Sequence, residues 1–172
     1  GMGALRGSNK NTAHAWMMDK VFGRWDKIHA ANAENKELAD TPYLKGMWAY
    51  VMGSAHSAMG HIGPAEAELA IVREQISADG VNDSGVGPTP ADHVLGLAMH
   101  ALLGEIEEAK GNLDGAILHY GHAIEFQENL NYTEPPDWSH SMRLYLGAAL
   151  LEADRAPEAE EVYRTDLEWN QR

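Results

Sequence analysis

A chain of 172 residues without a single cysteine is long enough to bury a substantial core, yet it has no disulfide framework and no thiolate chemistry. Its net charge of −13 is uneven: residues 1–45 carry 7 Lys or Arg against 5 Asp or Glu, and residues 46–172 carry 6 against 21. So acidic a body repels phosphate backbones, which argues against nucleic-acid binding, and no apolar run approaches the roughly 20 residues of a membrane span.

Residues 1–10 are Gly-rich and polar and read as a disordered, tag-like N-terminus ahead of one helical domain over 11–172. Gly1-Met2 looks like a cloning remnant, and with no secretory signal visible a cytoplasmic location is the expectation. A first unit over about 12–36 has a helix from Thr12 to Phe22, a turn at Gly23 and a weaker helix from Asp26 to Asn35. Trp16 and Trp25 are read as packing rather than partner surface. Thr41 as N-cap with Pro42 at the first helical position opens a second unit, 42–79. Its first helix ends near Gly60, and its second restarts after Gly63 with Pro64 in the first turn. Residues 79–91 combine Gly, Asn and Asp with two prolines. They are expected to be an inter-unit loop and the most mobile internal segment.

The third unit, 90–130, is the clearest. Its first helix spans Ala91 to Lys110, and Gly111-Asn112 turns the chain into a helix whose Ala116, Tyr120, Ala123 and Ile124 form one apolar stripe. Gly104, Ala116 and Ala123 let two helix backbones approach closely, while Leu103, Tyr120 and Phe126 fill the space around the contact. Pro135-Pro136 cannot sit inside a helix, so a fourth unit, 136–171, is expected to begin with Trp138.

Gly104, Gly111, Ala116, Tyr120, Ala123 and Phe126 stand at the fixed offsets of the tetratricopeptide repeat, which this stretch resembles. Met52-Gly53, Gly60, Ala65 and Leu69 repeat the offsets. So do Leu146-Gly147, Ala159 and Tyr163, with Asp154 in place of the turn glycine. The turn positions 23, 60, 111 and 154 are 37, 51 and 43 residues apart, where the family has about 34. Glu134-Pro135-Pro136-Asp137-Trp138 ahead of Leu146-Gly147-Ala148-Ala149-Leu150-Leu151 is similar to an uncharacterised bacterial branch of these proteins, known by fold and not by activity.

The resemblance implies an all-α fold, a right-handed α-α superhelix (a solenoid) of about four antiparallel helix pairs. It also implies a protein–protein interaction scaffold whose first helices line a concave groove. In this chain the groove positions are Met47, Tyr50, Ser54 and Ser57 in the second unit, Ala101, Glu105 and Glu108 in the third, and Leu144, Ala148 and Leu151 in the fourth. Neighbouring positions are Ala58, Ala98, Ala109, Ser141 and Glu152. Relatives that clamp a carboxylate terminus use Lys, Asn and Arg there; none occurs here, so that role is not carried over.

The expected ligand is therefore a peptide or partner protein, with basic character favoured by the acidic groove centre. Solubility is the plainer reading of the charge. A self-associating structural repeat, or a fragment of a longer repeat protein, is the alternative. Leu150, Leu151 and Trp169 would border an open C-terminal end through which two copies could pair. A metal-dependent enzyme is weighed third. His119, His122 and Glu125 share three-residue spacing and His100 precedes Glu105, Glu107 and Glu108, but the histidines read as surface residues and no nucleophile or oxyanion device accompanies them. No catalytic residue, metal ligand or cofactor is assigned.

Overall fold

A computed structural model describes the backbone of residues 2–84 and 87–169 and the side chains of residues 9–83 and 87–169. The protein is all-helical: among the described residues there are nine α-helices, one short 3-10 turn and no β-strand. The helices are α1 (Met2–Val21), α2 (Trp25–Ala30), α3 (Asn32–Leu38), α4 (Pro42–Ala58), α5 (Ile62–Ile76), α6 (Ala91–Ala109), α7 (Leu113–Glu128), α8 (Met142–Glu152) and α9 (Ala156–Trp169). Three helical hairpins, α4–α5, α6–α7 and α8–α9, follow one another. α4 and α5 both pack on α6, α7 packs on α8, and α1, α2 and α3 all lie against α4.

Local sequence explains the starts and turns. The Thr41 hydroxyl accepts the Leu44 N–H at 3.3 Å with Pro42 at the first helical position, and the Asn112 side chain accepts the Gly115 N–H at 3.2 Å. The four expected turn residues all take left-handed φ: 64° at Gly23, 74° at Gly60, 77° at Gly111 and 58° at Asp154. Asp is among the few non-glycine residues that visit this region without heavy cost.

Packing follows a regular offset. A Cβ on Gly104 would lie 2.3 Å from the Tyr120 ring and one on Gly147 2.4 Å from the Tyr163 ring, each tyrosine sixteen residues after its glycine. Between hairpins, Leu95 and Leu102 of α6 come within 2.6 Å of the Cβ positions of Gly46 and Gly53 on α4. The core runs without a break from Ala13, Trp16 and Met17 of α1, through Met47, Tyr50 and Val51, to Leu97, Ile106, Tyr120 and Met142.

Several expectations are revised. The first helix begins at Met2, not Thr12, so the segment expected to be disordered is helical over residues 2–10. One reason lies at its inner end: the Lys10 ammonium reaches buried Asp137 at 2.8 Å and Thr133 Oγ1 at 2.9 Å. The weak second helix divides into α2 and α3 at Ala31. There the two asparagines of α3 accept indole N–H groups, Asn35 from Trp16 at 2.9 Å and Asn32 from Trp48 at 3.0 Å. Trp138 does not begin the fourth unit's helix. It is buried in the loop against the Tyr50 ring at 5.2 Å, and Ser141 caps α8 instead. The 79–91 segment, expected to be an inter-unit loop, does lie between α5 and α6; Asn82 and Asp92 share paired bonds there, and Thr89 accepts the Asn131 N–H at 3.1 Å. Residues 85 and 86 lie outside the described residues.

Gly104 and Gly121 therefore respond oppositely to one methyl group. Gly104→Ala pushes Cβ into the Tyr120 ring and lowers stability by about 1–3 kcal/mol. Gly121 has open space around its Cβ position, and Gly121→Ala stabilises by roughly 0.5–1 kcal/mol through helix propensity. Urea melts of the two variants check the opposite signs.

Candidate functional site

On the side of α4, α6 and α8 that the resemblance makes concave, the chain's own first helix packs on α4 and reaches α6 and α8 through Lys20. α1 brings Trp16 edge-on to Trp48 of α4 at 5.1 Å between ring centroids. At its far end Lys20 is 4 % exposed; its ammonium pairs with Glu105 of α6 at 2.8 Å and donates to the Tyr145 hydroxyl of α8 at 3.0 Å. The same ammonium lies 5.2 Å from the Tyr50 ring centre and 4.8 Å from that of Tyr145. Burial works against the charge, but Glu105 and the two phenols outweigh it, and the Lys20 pKa is raised.

This placement sorts the ten expected groove residues. Met47, Tyr50 and Ala101 are fully buried and belong to the core, so they cannot face a partner. Leu144, Ala148 and Leu151 are exposed on α8, Leu151 beside Tyr163 and Leu167 in a separate depression. The remaining four, Ser54, Ser57, Glu105 and Glu108, meet in one cavity of about 490 Å³ where α1 ends, walled also by Lys20, Trp25, Tyr120, Tyr145 and Glu152.

The cavity is polar and charged at depth. Ser54 and Ser57 are 2 % and 6 % exposed, and neither hydroxyl has a hydrogen-bond partner. Oε1 of Glu105 is taken by Lys20, whereas Oε2 has no hydrogen-bond partner. Tyr120 donates its hydroxyl proton to Glu108 at 2.6 Å. Burial raises the Glu108 pKa; the Tyr120 hydrogen bond lowers it, and Glu152 and Glu105 raise it further. Lys20 is the one cation among the lining residues, against three carboxylates. Trp25, read from sequence as packing, forms part of the rim. It stands there because the chain turns at Gly23 directly after α1 ends at Val21.

A second cluster joins residues that sequence spacing kept apart. His100 of α6 meets His119 and His122 of α7, with Nδ1 of His100 3.3 Å from Nδ1 of His119 and ring centroids 5.1 Å apart for His100 and His122. His119 is thus half-buried against another ring rather than turned to solvent. The acid/base grouping of His100 with Glu105, Glu107 and Glu108 is not formed: Glu105 holds Lys20, Glu107 takes Lys110 and Asn112, and Glu108 takes Tyr120. Burial, with His122 and His119, lowers the His100 pKa to about 4. Among the described residues no group of three His, Cys, Asp or Glu is arranged to hold a metal ion, and no helix is long and apolar enough to cross a membrane.

At the C-terminal end Leu150 is buried, not exposed as expected. Arg143 lies over the Trp169 ring at 5.2 Å and pairs with Glu128, while Leu151 and Leu167 are half or more exposed.

No protein-family model matches this chain, and comparison with curated proteins and with solved structures finds no match.

Acid should loosen the fold. His140 lies between Trp138 and Tyr145, and burial, aided by Lys20, takes its pKa from 6.5 to about 3. Between those values the unfolded chain binds a proton that the folded chain refuses, so stability falls as pH drops below 6.5 and the loss is complete near 3. Thermal melts from about pH 7 down to about pH 5 should show a declining midpoint, with a shallower decline in His140→Gln.

Proposed function

We propose that this chain is a tetratricopeptide-like interaction scaffold that holds a segment of a partner protein on the α4–α6–α8 face, at the end left open by α1. One observation carries the reading: four side chains assigned independently to a concave groove, Ser54, Ser57, Glu105 and Glu108, line a single cavity. The left-handed turns at Gly23, Gly60, Gly111 and Asp154 support the repeat frame on which that assignment rests, as do the glycine–tyrosine contacts at constant offset. Binding rather than catalysis suits the cavity. Its carboxylates are committed to Lys20 and Tyr120 or stand at the rim, and its serines have no base against them.

The exposed Leu151 and Leu167 beside Tyr163 favour a second reading, in which two copies pair through the last hairpin. Light scattering with and without Leu167→Glu separates the two. A dimer lost on substitution supports pairing, and a monomer in both leaves the cavity as the interaction site.

A photo-crosslinking residue reports on the main reading directly. Placed at Ala58 or Glu152 on the cavity rim, it should capture the same partner protein; placed at Glu160, exposed on α9, it should capture none. Equal capture at all three positions would refute it.

A further inference from the structure

A pocket with a net negative wall and buried hydroxyls among its lining residues selects its ligand by charge and by donor number. Ser54 and Ser57 lie three apart on α4 and therefore on one side of that helix, both nearly inaccessible and both without a partner. Buried hydroxyls are usually hydrogen-bonded in folded proteins, because leaving them unmet costs stability, so these two offer acceptors to a group entering the pocket. Glu105 Oε2 adds a third unpartnered acceptor. Glu108 and Glu152 add two carboxylates with no ion pair among the described residues, Lys20 being paired with Glu105.

These features exclude an anion and disfavour a neutral group. They suit a small cation with three hydrogen-bond donors converging on one atom. A planar guanidinium spreads five donors in a fork that matches a carboxylate pair in a plane, whereas an ammonium presents three donors from one point. Trp25 and Tyr145 are among the lining residues, with buried Tyr120 behind them, and aromatic walls accept an alkylammonium stem and head.

We propose that the cavity between α1, α4, α6 and α8 is a primary-ammonium site, with Ser54, Ser57 and Glu105 Oε2 as acceptors for the head group and Glu108 and Glu152 as its counter-charge. Resting on the scaffold reading above, the site gives that partner segment a chemistry: an exposed lysine side chain entering where α1 ends. A free polyamine offers the same head group, and the test separates the two sources. Glu152 stands at the exposed rim and Glu108 deeper, so the cation meets charge first at the entrance and then at the base.

The test uses the whole chain and backbone-amide NMR at low salt. The probes are n-butylamine, acetyl-lysine amide, acetyl-arginine amide, spermidine and a short glycine-flanked lysine peptide. Saturable shifts centred on Ser54, Ser57, Glu105 and Glu108 are expected with every primary amine, and about tenfold weaker binding with acetyl-arginine amide. Glu152→Gln, exposed and without an ion pair, should weaken the amines about tenfold while leaving the fold intact; Ser57→Ala should do the same, and Glu160→Gln should change nothing. Absence of saturable shifts with all primary amines, in protein whose spectrum is otherwise native, overturns the ammonium site but leaves the scaffold reading to its crosslinking test. Equal affinity for the arginine and lysine amides also overturns it. Tightest binding by the lysine peptide supports both the site and the scaffold reading; tightest binding by spermidine supports the site and counts against the scaffold.

Discussion

A lysine ammonium almost out of reach of water must be met by an anion and by further acceptors, or the helix that carries it cannot stay where it is. Lys20 meets this condition through Glu105 on α6 and the Tyr145 hydroxyl on α8, with the Tyr50 ring of α4 alongside. One charge thus ties the end of α1 to the first helix of each following hairpin. The opposite half of α1 is held the same way, Lys10 against buried Asp137 and Thr133. Between the two ion pairs Ala13, Trp16 and Met17 supply the apolar contact. Neither buried pair is a large net source of stability by itself. Each makes the docked position of α1 specific, because displacement would strand a charge.

That position shapes the site. With α1 packed on α4 and Lys20 reaching α6 and α8, the residues just beyond Val21 help to wall a cavity with a charged lining. The hairpins beneath are held close for a different reason: Gly46 and Gly53 receive leucines, and Gly104 and Gly147 tyrosines, at distances that leave no room for a methyl group. Close backbone approach and large partner rings hold Ser54, Ser57, Glu105 and Glu108 in fixed relation, although they come from two different helices.

The sequence made the local features legible and left the non-local ones hidden. Helix starts at Thr41 and Asn112 follow from capping chemistry within three residues, and the turns at 23, 60, 111 and 154 follow from backbone preference. Gly104 and Tyr120 could be paired because a repeated offset encodes their contact. By contrast, the helix over residues 2–10 could not be read from glycine and polar residues. What anchors it, Asp137, lies 127 positions away from Lys10. Trp138 reads locally as a helix start but is claimed by the Tyr50 ring, and His100 gave no sign of meeting His119 and His122 on another helix. Of the site, the identity of the four converging residues was legible. The burial of Met47, Tyr50 and Ala101 was not, since it depends on where α1 lies.

Docking of α1 on the α4–α6–α8 face is the claim on which the rest stands, and amide hydrogen exchange measures it most directly. If α1 is held by its two buried ion pairs, amides from Ala13 to Lys20 exchange as slowly as those of α6, and Lys20→Met releases them while α6–α9 stay protected. Fast exchange along Ala13–Lys20 in the unaltered chain, with α4–α9 protected, would contradict the account.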